Sequence, residues 1–105
     1  MRGKEYEDEA VSYLRRKGYR ILKRNYRTRF GEIDVIARLG KTLVFVEVKG
    51  GRGDPRFRVN ERKLRRLELA INDYLSKADL TYDEIRLDVV EVTSKGIRHM
   101  VGINL

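Results

Sequence analysis

Two acidic residues and one lysine interrupt two apolar, β-branched runs that lie close together in the chain. Gly40-Lys41 joins the runs, and glycine at the first position favours a type II′ turn between two antiparallel strands. Pairing about this turn places Asp34 opposite Glu47, with their Cβ atoms about 5 Å apart on one face of the sheet. Lys49 lies two residues beyond Glu47, so it is expected to project from the same face.

This group of two carboxylates and an amine has the composition of a metal-dependent hydrolytic site. Opposed carboxylates repel each other, and the repulsion grows as the site loses water. A divalent cation between Asp34 and Glu47 would remove that repulsion. The same register places Glu32 opposite Lys49, which leaves an alternative interpretation. In that alternative, Glu32 and Lys49 form an ion pair, and Asp34 and Glu47 are solvated at the end of the strands.

The composition is that of a single globular domain. The chain has 105 residues, of which 41% are hydrophobic and 38% are charged, which is enough for one modest core. Cysteine is absent, and this excludes disulfides and thiolate metal sites. No apolar run reaches the length of a bilayer span, and the N-terminus lacks the apolar core of a signal peptide. The sequence predicts one cytoplasmic domain over residues 1–105, with no membrane partner.

Positive charge is concentrated in the two segments that flank the paired strands. The net charge is +8, and Lys and Arg outnumber Asp and Glu in residues 1–30 and 50–66, whereas acids predominate after residue 66. A basic rim around an acidic centre suits a polyphosphate backbone, so we expect a nucleic-acid partner. A soluble, highly charged surface without such a partner is the alternative. The candidate phosphate contacts are Arg24, Arg27, Arg29, Arg52, Arg56, Arg58, Arg62 and Lys63.

Two helices are predicted around the candidate site. The helix over Glu5–Lys17 carries Glu7 on its apolar stripe. A carboxylate there either has a buried partner or simply favours the positive helix N-terminus, and the helix alone does not decide between these. Asn60 predicts the N-cap of a second helix over Glu61–Lys77. Lys63 borders the apolar stripe of this helix and could point toward the sheet.

Both faces of the paired strands are apolar, so we expect helices to cover both sides of the sheet. One face is predicted to carry Ile33, Val35 and Val46 together. Other predicted elements are a strand or extended segment at residues 19–26, a flexible Gly-rich loop at 50–55, and strands at 85–93 and 97–103. His99 lies on the last strand and is expected to have a surface or packing role.

The pattern resembles the PD-(D/E)XK nuclease superfamily, and most closely the YraN-like family of small nuclease-like proteins, which is related to archaeal Holliday junction resolvases. The resemblance covers nearly the whole chain, and its specific part is the block from Gly31-Glu32-Ile33-Asp34 to Glu47-Val48-Lys49. The proline that names the superfamily motif is Ile33 here, as is usual for YraN-like chains. Other matching positions are Glu7, Ala10, Tyr13-Leu14, Gly18-Tyr19, Asn25-Tyr26-Arg27, Val44-Phe45-Val46, Lys63, Ala70, Tyr74-Leu75 and Arg86-Leu87-Asp88-Val89-Val90.

This resemblance implies a restriction-endonuclease-like α/β fold, a central mixed sheet flanked by helices on both faces. It also implies Asp34 and Glu47 as metal ligands, Lys49 as the catalytic lysine and Glu7 as a carboxylate at the same centre. We expect the Val48 carbonyl to complete the ligand set for Mg²⁺ or Mn²⁺, which bind oxygen ligands.

The expected activity is hydrolysis of DNA phosphodiester bonds, with branched DNA as one candidate substrate and RNA left open. A nucleic-acid-binding module that does not cleave is the alternative, and an interaction domain with a relic carboxylate pair is a third interpretation. One chain supplies one centre, whereas cutting two strands needs two centres, so a homodimer also stays open.

Overall fold

The computed structural model describes residues 3–51 and 60–103. Five strands form one sheet in chain order, and all neighbours are antiparallel except the third and fourth strands, which are parallel. A helix connects these two strands, because parallel neighbours need a crossover connection. The elements are α1 (Gly3–Arg16), β1 (Arg20–Thr28), β2 (Gly31–Leu39), β3 (Thr42–Gly51), α2 (Glu61–Lys77), β4 (Glu84–Thr93) and β5 (Gly96–Ile103).

The predicted hairpin is confirmed around its turn. Leu39 pairs with Thr42 and Ala37 pairs with Val44, so β2 and β3 are joined by two residues. Gly40 has a φ of 61°, which the first central position of a type II′ turn requires. The local turn chemistry therefore sets the register of these strands.

Both helices end or begin where their capping residues predict. After α1, Gly18 adopts a φ of 91°, and the Tyr19 amide donates to the Leu14 carbonyl at 3.0 Å, as in a Schellman motif. Asn60 caps α2, since its Oδ1 accepts a hydrogen bond from the Lys63 amide at 2.9 Å. The bounds predicted for α2 are confirmed, and α1 begins two residues earlier than predicted.

The two helices cover opposite faces of the sheet, which confirms the prediction from the doubly apolar strands. The buried cluster on the α1 side comprises Ala10, Val11, Leu14, Tyr19, Val35, Ala37, Val44, Val46, Val90 and Val92. The cluster on the α2 side comprises Ile33, Ile36, Leu43, Phe45, Leu67, Ala70, Ile71, Tyr74 and Leu87. Burial of these side chains is the main favourable contribution to the fold.

Ile33 lies on the α2 side, so its predicted position beside Val35 is wrong. Ile33 and Val35 are two residues apart, yet they belong to opposite clusters, so the alternation of faces is broken at Asp34. β1 switches faces at the same place, because Arg24 contacts α1 whereas the Tyr26 hydroxyl donates to Asp73 on α2.

Asn25 lies between those two residues of β1 and has a φ of 54°, a left-handed conformation that asparagine tolerates better than most residues. The β2–β3 ladder begins at the pair Val35–Val46. The prediction that Asp34 and Glu47 are directly paired across the strands is therefore wrong. The face switch turns the Asp34 segment out of the regular pleat at the end of the sheet.

Gly50 and Gly51 extend β3 and pair with β4, so the prediction that a flexible loop starts at Gly50 is wrong. Parallel pairing with Val92 and Thr93 keeps these residues in the sheet. The remainder of the predicted loop lies outside the described residues. Gly50 also allows a close approach of α1, because a Cβ atom on Gly50 would lie 2.0 Å from Cγ of Tyr6.

We expect Gly50→Ala to destabilise the fold by about 1–3 kcal/mol, the range for overpacking a tight contact. Urea unfolding of the single variant and of the same substitution in a Tyr6→Ala background measures the effect. The loss should shrink markedly in the Tyr6→Ala background, because the ring that meets the new methyl group is gone. An equal loss in both backgrounds would show that the ring is not the cause.

The only histidine of the chain joins a buried polar network on the α1 side of the sheet. Nε2 of His99 lies 2.7 Å from Oδ2 of Asp88, and Nδ1 lies 2.9 Å from the Tyr13 hydroxyl. Arg86 donates to both oxygens of Asp88, each at 2.9 Å, and the Gly102 amide donates at 3.1 Å. The prediction of a packing role for His99 is confirmed, and the network ties β5 to β4 and α1.

Candidate active site

The predicted chemical residues meet at the end of the sheet where β2 begins and β3 ends, beside the N-termini of both helices. On the α1 side lies a cavity of about 710 Å³. It is lined by Lys4, Tyr6, Glu7, Arg24, Asn25, Arg27, Glu32, Asp34, Val48, Lys49 and Gly50. On the α2 side lies a cavity of about 330 Å³, lined by Gly31, Glu32, Glu47, Asn60, Arg62, Lys63, Arg66 and Leu67.

Asp34 is held by the backbone of the neighbouring strand. Its Oδ2 accepts a hydrogen bond from the Val48 amide at 2.8 Å. The pKa of Asp34 is raised to about 7. Burial is the main cause, the charge of Glu47 comes second, the charges of Glu32 and Glu7 contribute less, and the hydrogen bond from the Val48 amide partly opposes the shift. The two carboxylates therefore act on each other electrostatically even though they are not a cross-strand pair.

Glu47 is buried, with 8% of its surface exposed, and is paired with a lysine from the second helix. Nζ of Lys63 lies 2.7 Å from Oε1 of Glu47. Lys63 is thus oriented toward the sheet, as its place at the border of the α2 stripe suggested. Glu47 is therefore paired with a lysine that the sequence predicts as a phosphate contact.

Lys49 and Lys63 lie close enough to shift each other's pKa, and they do so in opposite directions. Burial lowers the pKa of Lys49, and the adjacent Lys63 ammonium lowers it further, against the attraction of Glu47 and Asp34. Lys49 is therefore the member of the pair that gives up its proton more readily.

Lys63 shows the opposite balance. Burial alone would lower the pKa of Lys63, but the hydrogen bond to Glu47 and the charges of Glu47 and Asp34 raise it overall. The two lysines are consequently differentiated: Lys63 is held as a cation, and Lys49 is shifted toward the neutral amine. The sequence alone offered no signal for this difference, because the two residues are fourteen positions apart on different elements.

Glu7 faces the same cavity as Asp34, so the structure places this carboxylate at the site. It is 9% exposed, and its Oε1 accepts hydrogen bonds from Arg24 Nε at 3.0 Å and from Asn25 Nδ2 at 2.9 Å. Hydrogen-bond partners on β1, rather than the helix N-terminus alone, therefore account for its position. Its charge contributes to the raised pKa of Asp34.

The alternative interpretation of the acidic residues is wrong in one respect. It required Asp34 and Glu47 to be solvated, but Glu47 is buried and Asp34 is half-buried. Glu32 lies opposite Arg27 on β1, and Arg27 Nε is 3.6 Å from Oε2 of Glu32. Glu32 lines both cavities and so lies between them.

The predicted phosphate contacts have different environments. Arg24 is occupied by Glu7 and Asp8, whereas the side chain of Arg27 is 84% exposed. The Arg29 guanidinium lies 4.9 Å from the centre of the Phe30 ring. Arg62 lines the smaller cavity, and Arg52, Arg56 and Arg58 lie outside the described residues.

Arg66 also lines the smaller cavity and was not among the predicted contacts. It follows Arg62 by four positions, the spacing that places two residues on one face of a helix. That spacing is readable in the sequence and could have identified it. Arg62, Lys63 and Arg66 together make this cavity strongly positive around Glu47.

The donor set at the sheet end has the chemistry that a hard divalent cation requires. Asp34, Glu47 and the Val48 carbonyl offer oxygen ligands only. A cation would offset both causes of the raised pKa of Asp34, which are chiefly burial and, after it, the charge of Glu47. Across residues 3–51 and 60–103, no three or more His, Cys, Asp or Glu side chains group closely enough to hold a metal by themselves. Any such centre therefore needs backbone or water oxygens in addition to the two carboxylates.

A five-stranded mixed sheet with one helix on each face defines an α/β protein, and this architecture is compatible with the restriction-endonuclease-like fold. The predicted fold class is thus confirmed. Among the described helices, neither has the length and apolar character needed to cross a bilayer.

The chain belongs to the uncharacterised protein family UPF0102, which residues 6–92 match. A UPF0102 protein of Kosmotoga olearia is 54% identical, over 97% of this chain and 91% of its own length. A UPF0102 protein of Pseudothermotoga lettingae is 52% identical over the whole of both chains. A UPF0102 protein of Persephonella marina is 42% identical, over 95% of this chain and 90% of its own length.

Proposed function

We propose that this chain is a cytoplasmic, Mg²⁺- or Mn²⁺-dependent endonuclease that hydrolyses phosphodiester bonds in DNA. The observation that carries the proposal is the placement of Asp34, Glu47 and a lysine of lowered pKa at one open end of the sheet. The resemblance to the PD-(D/E)XK nucleases supports the same assignment. The YraN-like family that the chain resembles is related to Holliday junction resolvases, so branched DNA is the first structured substrate to test.

The metal ligands in this proposal are Asp34, Glu47 and the Val48 carbonyl. The bound cation would polarise the scissile phosphate and lower the pKa of a water molecule. Val48 contributes twice, because its amide also fixes the orientation of the Asp34 carboxylate at 2.8 Å. Burial of Glu47 and partial burial of Asp34 limit the screening of their charge by water.

Lys49 is suited to handle the proton of the attacking water. A neutral amine can accept a proton, whereas an ammonium cannot. Burial and the neighbouring Lys63 ammonium lower the pKa of Lys49 without the metal.

The surrounding cations are suited to hold the DNA backbone. Arg27 is exposed at the larger cavity, Arg29 is exposed two residues farther along the chain, and Arg62 and Arg66 line the smaller cavity. Such contacts would position the phosphates without selecting a base sequence. They therefore favour recognition of backbone shape, which agrees with a structure-selective enzyme.

A nucleic-acid-binding module without cleavage is the second candidate function. The ion pair between Lys63 and Glu47 favours it, because a carboxylate oxygen needed for the metal already has a cationic partner at 2.7 Å. In that case the basic cavities would bind the backbone and the acidic residues would only maintain the local structure.

Lys49→Met is expected to lower Mg²⁺-dependent cleavage by about 10²–10⁴-fold, the usual contribution of a general acid or base. The assay uses branched, single-stranded and duplex DNA, and RNA, with Mg²⁺, Mn²⁺ or EDTA. Lys41→Met is the matched control, because Lys41 is an exposed lysine in the turn at the opposite end of β3.

Equal cleavage by wild type and Lys49→Met would reject the assigned role of Lys49. Cleavage that also survives in EDTA would indicate a contaminating nuclease. Salt-sensitive binding without cleavage of any substrate would favour the binding module.

A further inference from the structure

The cation nearest to Glu47 is supplied by the protein itself. Nζ of Lys63 lies 2.7 Å from Oε1 of Glu47, and the side chains of Lys63 and Glu47 are 31% and 10% exposed. The Lys63 amide donates to Oδ1 of the capping residue Asn60 at 2.9 Å, so the first turn of α2 fixes the backbone position of this lysine. The contact therefore depends on the position of the helix and is not a chance meeting of two surface side chains.

The location of this ammonium is electrostatically unusual. Positive side chains near a helix N-terminus oppose the helix dipole, and Arg62 and Arg66 add further positive charge in the same cavity. Glu47 and Asp34 both attract Lys63, and these two carboxylates offset the unfavourable environment. They are also the two residues assigned above to the metal.

A divalent cation and the Lys63 ammonium cannot both lie against Glu47 without strong repulsion, because the two positive charges would be only a few ångströms apart in a buried site. We propose that Lys63 is a built-in competitor for the metal: it neutralises Glu47 in the metal-free protein and is displaced when the metal binds. This inference rests on the proposed metal site.

Displacement would leave Lys63 in the cavity that Arg62 and Arg66 already line. A phosphate group is the ligand that such a set of cations fits. Lys63 would then leave Glu47 and contact a phosphate of the DNA backbone, and so act as a positioning residue. Binding of the metal and binding of DNA would assist each other, because each favours the displaced lysine.

Lys63→Met tests the inference through metal affinity, without a cleavage assay. Titration of the metal-free protein with Mn²⁺, followed by the electron paramagnetic resonance of free Mn²⁺, measures the dissociation constant. We expect Lys63→Met to bind Mn²⁺ about tenfold more tightly than wild type, because the competing charge is gone. Arg62→Met is the matched control, because it removes a positive charge from the same cavity. It should change the affinity much less, since the 2.7 Å ion pair with Glu47 is formed by Lys63.

Lys63→Arg gives a second test, in which no gain in affinity is expected. A guanidinium pairs with a carboxylate at least as well as an ammonium and stays charged, so this variant should bind Mn²⁺ no more tightly than wild type. It keeps the partner of Glu47 and therefore remains informative if Lys63→Met fails to fold.

The possible outcomes separate the inference from the proposed function. Measurable Mn²⁺ binding by wild type that Lys63→Met leaves unchanged or weakens would overturn the role of Lys63 and leave the metal site standing. Tighter binding by Lys63→Arg would overturn it as well. Absence of Mn²⁺ binding from wild type and every variant would reject the metal site itself, and the inference with it.

Discussion

Asp34→Asn is expected to abolish Mg²⁺-dependent DNA cleavage and, in the same molecule, to stabilise the fold above pH 7. Asparagine preserves the shape of aspartate and can still accept the hydrogen bond from the Val48 amide. It removes the negative charge that the metal needs and that Glu47 repels. We expect cleavage to fall at least about 10³-fold, as for loss of an essential electrostatic group.

The stability gain follows from the pKa of Asp34, which rises from 3.8 to about 7 in the folded protein. Stability associated with the protonated carboxyl group is fully present below pH 3.8 and is lost as the pH rises through about 7. Asparagine imitates the protonated form at every pH. The advantage of Asp34→Asn should therefore be near zero at pH 3.5, grow through the intermediate range and level off above pH 7, at on the order of 1–3 kcal/mol.

Urea unfolding in EDTA, measured at several pH values, tests this dependence. Glu47→Gln is the matched comparison, because it should also abolish cleavage but lower stability by removing the carboxylate charge that pairs with Lys63 at 2.7 Å. A stability difference for Asp34→Asn that does not vary with pH would contradict the raised pKa. Retained cleavage would contradict the metal-binding role.

The largest loss of stability is expected from Asp88→Asn, far from the candidate site. Asp88 is fully buried and accepts hydrogen bonds from Arg86 and the Gly102 amide, with His99 at 2.7 Å. Asparagine would leave the partly buried Arg86 guanidinium without its counter-charge. Breaking a buried ion pair in this way costs about 3–5 kcal/mol.

Chemical denaturation near pH 7 measures this loss. Asp73→Asn is the matched control. Asp73 also forms an ion pair, with Lys77, and accepts a hydrogen bond, from the Tyr26 hydroxyl, but it is partly exposed, so its loss should be much smaller. Equal losses of stability for the two variants would show that burial of the Asp88 network does not increase its contribution to the free energy of unfolding.

The pH dependence of wild type provides a second check on Asp88. Burial alone would raise the pKa of Asp88, but Arg86, the Gly102 amide and His99 together hold it below 3.8. Its contribution to stability is therefore present above pH 3.8 and is lost as the pH falls through the lower, folded pKa. The Asp88→Asn variant should lose less stability than wild type on acidification through that range.

The elements that local chemistry determines were predictable from the sequence. Asn60 and the period of the apolar stripe locate α2, and Gly40-Lys41 locates the hairpin turn, because a cap and a turn depend only on neighbouring residues. The candidate acidic residues and Lys49 were also recognisable, since their charges stand out within apolar strands.

The features that depend on contacts between elements were not predictable from local patterns. The face change at Asp34 moves Ile33 to the α2 side, and strict alternation could not anticipate it. Gly50 stays in the sheet because β4 pairs with it and Tyr6 packs on it. The pairing of Lys63 with Glu47 required the crossover helix to be placed first.

The chain-order arrangement of the strands has a consequence for synthesis on the ribosome. Because β1, β2 and β3 are successive neighbours, they can associate with α1 before the remainder of the chain has been made. At that stage Glu7, Asp34 and Glu47 are already present, but Lys63 is not. The β3 edge that later receives β4 is also unpaired, and its apolar stretch Leu43–Val46 is open to other chains. The emerging half-protein is therefore both electrostatically strained and prone to aggregate until α2 and β4 arrive together.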